Sequence, residues 1–447
     1  MNCRFDGQPL SHVFVDLDYC PPSNSYLRPS ELNQSEIYYP LKLFVSERTF
    51  LVQVDEYMRA ENIFSEDYAY FSSYSKSWLS HAEQYVAQMC HRFAYGNESL
   101  VVELASNDGY LLQYFKACNI PVLGIEPSLS VATTAQAKDI ETIVDFFGLA
   151  LAERLRSERK RADLIVANNV LAHVPDLNDF VGGMKLLLAP EGVITVEFPH
   201  LMHLIEKIEF DTIYHEHYSY FSFYTVQIIF ASHGLEIFDV EELKTHGGSL
   251  RIYAQHIDGM HAKSPAVEKL LRTEHARGMR EMAYYEGFQA KVDSIKFNLL
   301  SFLLQKKSEG KRVVAYGAAA KGNTLLNYCG IRKDLIEYVV DASTYKQGRF
   351  MPGSHIPIEN ESKIRETKPD YIIILPWNLR DEITQQLAYV ASWDAAFVIA
   401  IPELKCFKVP SWQHSKRIDD SSVPINRRLE DSRHRRASVG ECRLPAT

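Results

Sequence analysis

The sequence predicts an α/β fold built from two units in which strands and helices alternate. Between about residues 99 and 258, short apolar runs alternate with helical patterns. The runs between residues 100 and 167 are apolar enough to be buried on both faces, as the strands of a parallel sheet are. A second succession of strand, small-residue turn and helix begins near residue 312. The length of 447 residues allows two or three domains.

The elements are expected in the following order. Residues 1–60 are irregular with short strand-like pieces, and residues 61–98 are helical. Strands of the first unit are expected at 100–104, 122–126, 140–144, 164–167, 192–197 and 249–255. Residues 264–309 are predicted to be helical, because an apolar stripe recurs there at helical spacing: Phe288, Val292, Ile295, Leu299 and Phe302. In the second unit, strands are expected at 312–316, 338–340 and 371–375. Residues 411–447 are charged and poor in apolar residues, which predicts a disordered tail.

The composition is ordinary for a globular protein, with 46% hydrophobic and 23% charged residues. The formal net charge of −9 argues against a general nucleic-acid binder, which normally carries a basic surface. No run of eighteen apolar residues occurs, and the first residues lack an apolar signal core. We therefore expect a cytoplasmic enzyme without a membrane or nucleic-acid partner. The seven scattered cysteines are expected to be reduced thiols.

The most informative segment is the turn after the first strand of the first unit. The strand ends near an acid, the turn is made of small and polar residues, and the next strand ends in a second acid: Glu103, Ala105, Ser106, Asn107, Asp108, Gly109 and Glu126. An acid at the end of the second strand of such a unit accepts hydrogen bonds from ribose hydroxyls. A dinucleotide site would need more glycines, and Asp108 would repel pyrophosphate. A positively charged cofactor without phosphate fits better, and S-adenosylmethionine is one; a plain strand–turn–helix is the alternative.

Further candidate residues follow other strands of the first unit. Phe146 and Phe147 come after the third strand and could enclose an adenine ring. Asn168, Asn169 and His173 come after the strand at 164–167, where open α/β sheets place ligands. We assign Asn168 to the cofactor, Asn169 to the substrate and His173 to catalysis, with a structural histidine as the alternative.

The densest polar cluster spans residues 210–220 and includes Tyr214, His215, Glu216 and His217. A histidine titrates near neutral pH, so it can take a proton and return it. A neighbouring carboxylate can orient the imidazole, and tyrosine hydroxyls can stabilise a developing oxyanion. The spacing differs from the His-Glu-x-x-His pattern that places two metal ligands on one helical face. Acid–base chemistry is therefore the favoured interpretation, and a polar loop is the alternative.

The second unit offers a candidate phosphate site. Lys321 lies in a turn of small residues, and backbone amides with one lysine suit a phosphate or diphosphate. The turn lacks the pattern of an NTPase phosphate loop. Trp377 follows the strand at 371–375 and could stack on a nucleobase, or simply pack.

Together these segments resemble the C-methyltransferases that act on nucleotide-linked deoxysugars, the group that includes the tetronitrose and mycarose pathway enzymes. The resemblance covers residues 1 to about 410 and rests on motifs in one order through both units, at 103–110, 168–176, 197–200, 214–217, 245–249, 316–323 and 376–378. It implies a class I methyltransferase Rossmann-like domain, a C-terminal Rossmann-like domain and a small N-terminal module like a zinc ribbon. The implied boundaries are 1–60 for the N-terminal module, 61–260 for the methyltransferase domain, 261–310 for a helical connector, 311–410 for the nucleotide-sugar-binding domain and 411–447 for the tail.

The resemblance also implies residue roles. The implied catalytic residues are Tyr68, His173, Tyr214, Glu216 and His217, with His217 as the general base. The implied substrate contacts are Asn169, His200, His246, Lys321, Asn323 and Trp377. The expected reaction is methylation of C-3 of a 4-keto deoxysugar nucleotide through an enolate. A non-catalytic nucleotide-sugar-binding protein and a class I O- or N-methyltransferase are the alternatives, and we expect a monomer.

One departure from the family concerns zinc. The family's N-terminal module holds zinc with two Cys-x-x-Cys pairs. The corresponding segments here are Cys3-Arg4-Phe5-Asp6 and Ser46-Glu47-Arg48-Thr49, so only Cys3 is retained. Structural zinc sites use sulfur and imidazole ligands. We therefore predict that the module has lost its metal.

Overall fold

The computed structural model describes residues 1–63 and 71–408. The predicted tail and Tyr68 lie outside this part of the chain. The N-terminal module contains strands β1 (His12–Cys20), β2 (Tyr39–Val45) and β3 (Val52–Val54), followed by helix α1 (Ala60–Ile63). In β2, every second residue is buried from Leu41 to Val45, as expected for a strand with one face on a core.

The first α/β unit follows. Its elements are α2 (Lys76–Phe93), β4 (Val101–Leu104), α3 (Leu112–Ala117), β5 (Val122–Ile125), α4 (Leu129–Gln136), β6 (Thr142–Ile143), α5 (Leu149–Ser157), β7 (Ala162–Asn168), α6 (Leu177–Leu187), β8 (Leu188–Pro199), α7 (Leu201–Glu206), β9 (Ser219–Tyr220), α8 (Phe223–Ser232), β10 (Leu235–Leu243) and β11 (Ser249–His256). Seven of the strands form one sheet in the order β10-β11-β8-β7-β4-β5-β6. The strands from β4 to β8 in this sheet are parallel, and β11 is antiparallel to both neighbours.

The strand order reverses at β4, which lies between β5 and β7. Ligands of open α/β sheets bind outside the carboxyl ends of the strands at such a point. Strand β9 leaves this sheet and pairs with β3 of the N-terminal module, where Val52 lies opposite Tyr220. The N-terminal sheet therefore has the order β1-β2-β3-β9.

The remaining elements are α9 (Pro265–Ala276), α10 (Phe288–Ser308), β12 (Val313–Tyr316), α11 (Ala320–Tyr328), β13 (Val339–Val340), β14 (Ile358–Glu359), α12 (Ser362–Thr367), β15 (Tyr371–Ile374), α13 (Arg380–Gln386), β16 (Ala396–Ile399) and β17 (Lys405–Phe407). The second sheet has the order β14-β13-β12-β15-β16-β17, and only β17 runs antiparallel in it. The helix expected at 264–309 is two helices, because Gly278 and Gly287 adopt left-handed backbone conformations between them.

Helix α10 connects the parts of the fold through packing. Its buried residues Phe288, Val292 and Ile295 share one hydrophobic core with Val15 and Leu43 of the N-terminal sheet, and that core continues into the second α/β unit. The predicted stripe is therefore correct except at its last position, where Leu303 is buried and Phe302 only partly so. In the part of the chain that the structure describes, no helix is long and apolar enough to cross a bilayer.

Candidate active site

The turn after β4 builds a rigid carboxylate site. Ala105 and Asn107 have positive φ angles of 54° and 50°. The backbone N–H of Asn107 donates to Oε2 of Glu126 at 3.0 Å, and that of Ser128 donates to Oε1 at 2.9 Å. Burial raises the pKa of Glu126, and these two hydrogen bonds oppose the increase. The carboxylate is therefore held in one orientation at the end of β5.

A cavity of about 580 Å³ opens at the carboxyl edge of the sheet. Six of the ten predicted cofactor residues line it: Ala105, Asn107, Glu126, Phe146, Phe147 and Asn168. Both amide atoms of Asn168 are buried and have no hydrogen-bond partner among the described residues. Buried polar groups normally have a hydrogen-bond partner, so the unpaired amide of Asn168 indicates a place for a polar group of a ligand. The aromatic rings, the carboxylate and this amide fit the nucleoside of S-adenosylmethionine.

The other four predicted cofactor residues lie beneath the cavity and support its wall. The carboxyl group of Glu103 is buried and hydrogen-bonded to Tyr110, which lines the cavity. The side chain of Ser106 packs against Gly124, and that of Asp108 pairs with Lys138 at 3.3 Å. Gly109 has a positive φ of 73°, which favours glycine, and a Cβ atom there would lie 2.4 Å from the end of the Ile140 side chain. These four residues therefore support the cavity lining without being part of it.

His217 and Tyr214 form a hydrogen-bonded pair in the same cavity. Nδ1 of His217 lies 3.0 Å from the carbonyl oxygen of Thr212, and Nε2 lies 2.8 Å from the hydroxyl of Tyr214. Because a carbonyl oxygen only accepts, Nδ1 carries a hydrogen, and in the neutral ring Nε2 accepts from Tyr214. Nε2 is thus the basic nitrogen of His217.

His173 lies next to this pair, with its ring centroid 4.6 Å from that of His217. Its Nδ1 lies 2.8 Å from the backbone oxygen of Glu216 and therefore donates to it. Burial lowers the pKa of His173 to about 4, so the ring is neutral at neutral pH. A neutral imidazole has one N–H, and His173 donates it to this carbonyl. His173 therefore has no N–H left to donate to a substrate oxygen.

Glu216 has a different neighbour from the one expected. Its carboxyl group accepts a hydrogen bond at 2.7 Å from Nδ2 of Asn24, in the N-terminal module. Burial raises the pKa of Glu216 to about 7. The prediction that this carboxylate orients the His217 ring is therefore wrong, because the two ring nitrogens bond to the carbonyl oxygen of Thr212 and the hydroxyl of Tyr214. His215 points the other way, and its Nε2 lies 3.2 Å from the carbonyl oxygen of Pro40.

Two lysines of the second α/β unit line the cavity. Lys321, in the first turn of α11, donates to Oδ1 of Asn378 at 2.9 Å and lies 4.7 Å from the ring centroid of Trp377. Burial lowers the pKa of Lys321, and the charges of Asp211 and Glu209 counteract this. Sequence reasoning missed the second lysine, Lys346, whose Nζ donates to the carbonyl of Ala318 at 2.8 Å.

Three predicted substrate contacts lie outside the cavity lining. Nε2 of His200 bonds to Oε1 of the fully buried Glu274 at 2.7 Å. Asn323 is buried in α11 and accepts from Asn327 at 3.1 Å. Trp377 donates from Nε1 to Asp211 at 2.8 Å, and the ammonium group of Lys321 lies over its ring. The ring therefore supports the lysine instead of stacking on a nucleobase. The structure brings Asn169 into the lining, and the side chain of His246 is not described.

The N-terminal module does not present a zinc donor set. Sγ of Cys3 lies 3.8 Å from Oγ1 of Thr49, and Oγ of Ser46 accepts backbone hydrogen bonds from Arg48 and Thr49. Burial raises the pKa of the Cys3 thiol, which disfavours the thiolate that zinc requires. One thiol with two hydroxyls does not fit a structural zinc site. Metal loss stays a prediction.

Three family models match the chain. They describe a putative zinc binding domain at residues 3–64, a methyltransferase domain at 78–240 and a C-methyltransferase C-terminal domain at 244–402. Together with the seven-stranded sheet, these matches define the class: the protein is an S-adenosylmethionine-dependent methyltransferase with a class I fold. The predicted fold class and the prediction of an enzyme are confirmed.

A curated relative narrows the class to one family. C-methyltransferase NovU from Streptomyces niveus is 31% identical, over 92% of this chain and 97% of that protein. The chain therefore belongs to the deoxysugar C-methyltransferase family that its motifs resemble. The protein is a C-methyltransferase, and the alternatives of a non-catalytic binding protein and of O- or N-methylation are set aside.

Further similarities cover smaller shares of the chain. Ubiquinone biosynthesis O-methyltransferase from Rhodopseudomonas palustris is 26% identical over 24% of this chain and 45% of that protein. A solved S-adenosylmethionine-dependent methyltransferase from Anabaena variabilis is 18% identical, covers 40% of this chain and 86% of its own, and has a TM-score of 0.32.

Proposed function

We propose that this enzyme methylates C-3 of a 4-keto deoxysugar nucleotide, with His217 as the general base. One observation carries the proposal: a single cavity is lined by Glu126, by the Tyr214–His217 pair and by Lys321 and Lys346. Glu126 suits a nucleoside, the Tyr214–His217 pair suits a carbon acid, and the two lysines suit a diphosphate. Their common cavity could hold a methyl donor and a nucleotide sugar side by side.

Proton removal is assigned to Nε2 of His217. A 4-keto group acidifies the hydrogen on the adjacent C-3, and the base takes that proton to leave an enolate. The carbonyl of Thr212 then accepts from Nδ1–H of the imidazolium and stabilises its charge. Neutral His173 places no positive charge beside it. Once Nε2 of His217 is protonated it no longer accepts from Tyr214, and the freed hydroxyl of Tyr214 is the donor proposed for the enolate oxygen.

S-adenosylmethionine, when bound, supplies an electrophilic methyl group on a positively charged sulfur. Glu126, Asn107, Asn168 and Phe146 are the residues proposed to hold it. The chain's own contribution is to generate the carbanion-like carbon and to hold it in line, since near-attack positioning at about 3–3.5 Å supplies much of the acceleration. We further propose that the enzyme acts as a cytoplasmic monomer without a nucleic-acid partner.

The test uses methyl-labelled S-adenosylmethionine with a panel of 4-keto and 4-hydroxy sugar nucleotides. Carbon NMR of the product is expected to show the label bonded to C-3, and only with the 4-keto compounds. Labelling of an oxygen, or equal turnover of the 4-hydroxy compounds, would contradict the proposal. Labelling at C-5 would refute the position while leaving the enolate chemistry intact.

A further inference from the structure

The loop at residues 21–27 of the N-terminal module reaches the active site. Asn24 lines the cavity although it lies 192 residues before Glu216 in the chain. Tyr26, in the same loop, donates from its hydroxyl to the carbonyl of Ala318 at 2.5 Å. Nζ of Lys346 lies 5.2 Å from the ring centroid of Tyr26. The loop is therefore fixed against the second α/β unit, and these contacts hold the backbone of Asn24 in place.

The contact between Asn24 and Glu216 is specific. Nδ2 of Asn24 donates to Oε1 of Glu216 at 2.7 Å, and Glu216 is only 6% exposed. Among the described residues, Asn24 is the hydrogen-bond partner of this carboxyl group. Glu216 also lines the cavity, so its second oxygen, Oε2, remains for a ligand. A carboxyl group with one oxygen bonded has far fewer rotamers open to it than one with both oxygens unbonded.

We propose that Asn24 is a positioning residue, which fixes the carboxyl group of Glu216 so that Oε2 hydrogen-bonds the sugar of the substrate. The identity of the sugar as the occupant rests on the proposed function, whereas the coupling of Asn24 to Glu216 does not. The N-terminal module thus has a part in the active site. The contact of Asn24 with Glu216 gives a physical reason why the module keeps its fold, although its donor set does not suit zinc.

The coupling can be measured without any substrate. The ionisation of Glu216 is followed by infrared titration of its carboxyl band, taken as the difference from Glu216→Gln. The titratable groups that interact with it are Tyr26 and Tyr218, while His173 bonds to the backbone oxygen of the same residue and Lys346 lines the same cavity. The Asn24 donor favours the carboxylate, so its removal in Asn24→Ala is expected to raise the midpoint above that of the wild type.

Controls isolate the hydrogen bond. Asn33→Ala removes an exposed asparagine of the same module and is expected to leave the midpoint unchanged. Asn24→Leu keeps the volume of the side chain without its donor, and is expected to behave like Asn24→Ala if the latter folds poorly. An unchanged midpoint in both Asn24 variants would overturn the inference.

Kinetics test the positioning role. With an accepted sugar nucleotide, Asn24→Ala is expected to lower kcat/KM about tenfold, the effect of losing one hydrogen bond to a charged group. The Kd of S-adenosylmethionine should not change. If the infrared midpoint moves but no panel sugar is methylated, the proposed function fails and the coupling stands. If methylation is normal in Asn24→Ala, the positioning role fails alone.

Discussion

At the scale of single residues, the site depends on which nitrogen of His217 is basic. The Thr212 carbonyl fixes the hydrogen on Nδ1, and in the neutral ring Nε2 is the nitrogen that accepts from Tyr214. The neighbouring His173 is neutral because burial lowers its pKa to about 4. His173 therefore stays neutral beside His217, and the base proposed for the reaction is Nε2 of His217.

Replacing His217 by alanine is expected to abolish exchange of the C-3 hydrogen with solvent and to lower kcat by roughly 10²- to 10⁴-fold, because the base is lost. Proton NMR in deuterated buffer measures the exchange, and calorimetry checks that S-adenosylmethionine still binds. The exposed His91→Ala serves as the control. Normal exchange in His217→Ala would remove this residue from the role of base.

The two cavity lysines are expected to act on the diphosphate. Lys321→Met and Lys346→Met should each weaken binding of a nucleoside diphosphate by roughly tenfold or more, because each removes a charge-assisted hydrogen bond. Isothermal titration calorimetry measures the affinity. Lys333→Met changes an exposed lysine of the same unit and should have no effect. Equal affinities in all three variants would place the diphosphate elsewhere.

Glu216 gives the fold a characteristic pH dependence. Its pKa is about 7 when folded against 4.5 as the ordinary value, so the folded state holds a proton that the unfolded state releases between these pH values. Its contribution to stability is present below about pH 4.5 and is lost as the pH rises towards 7. Glu216→Gln should therefore gain stability relative to the wild type over this range, on the order of 2–3 kcal/mol. Denaturant unfolding at pH 4.5 and pH 7 measures the difference, and a constant difference would contradict it.

At the scale of elements, the segment that contains Tyr214 and His217 is held from two sides. Strand β9 begins two residues after His217 and pairs with β3, and the backbone N–H of Val54 donates to the oxygen of Tyr218 at 3.1 Å. On the other side, Oγ1 of Thr324 in α11 donates to the carbonyl of Ile213 at 2.7 Å. Tyr214 and His217 thus lie on a short bridge between two rigid elements.

Thr324→Val should loosen that bridge. Valine keeps the shape of threonine but leaves the buried Ile213 carbonyl unpaired, which costs about 1–3 kcal/mol. We expect a lower denaturation midpoint together with a reduced kcat. The matched control is Thr273→Val, which removes an exposed hydroxyl that also donates to a backbone carbonyl. A loss of stability with an unchanged kcat would show that the bridge does not position the base.

Sequence patterns predicted most of the strands that are buried on both faces, although β16 was missed with all four of its residues buried. Apolar residues dominate β4, β5 and β7, and β11 contains the apolar stretch 252–254, so the positions of these strands were expected closely. Strand β10 was missed, because its charged residues weaken the apolar pattern. The short β17 was missed too, since exposure of most of its residues removes the pattern.

The site shows the same limit. The cluster at 214–217 and the carboxylate at Glu126 were predicted, because each lies in a local motif with its own chemistry. Asn24 and Lys346 were missed, since they come from loops without such a motif and are placed only by the tertiary fold. His200 was misassigned, because a sequence cannot show that Glu274 lies beside it in the core.

At the scale of the whole chain, the N-terminal module, helix α10 and the second α/β unit share one hydrophobic core. Stability of the module should therefore come from packing and not from a metal. Incubation with a strong chelator is expected to leave the thermal midpoint unchanged, and metal analysis of protein purified without added zinc should find less than one equivalent. A fall in the midpoint that zinc restores would show that the module retains a site.

The pairing of β3 with β9 also has a consequence for synthesis on the ribosome. The first three strands of the N-terminal sheet are complete by Val54, yet their fourth member is Ser219–Tyr220. The edge of β3 stays unpaired until more than half of the methyltransferase domain has been made. Pairings that span such a long stretch of chain form slowly, and exposed strand edges invite wrong partners. The nascent chain is therefore most prone to misassociate during that interval.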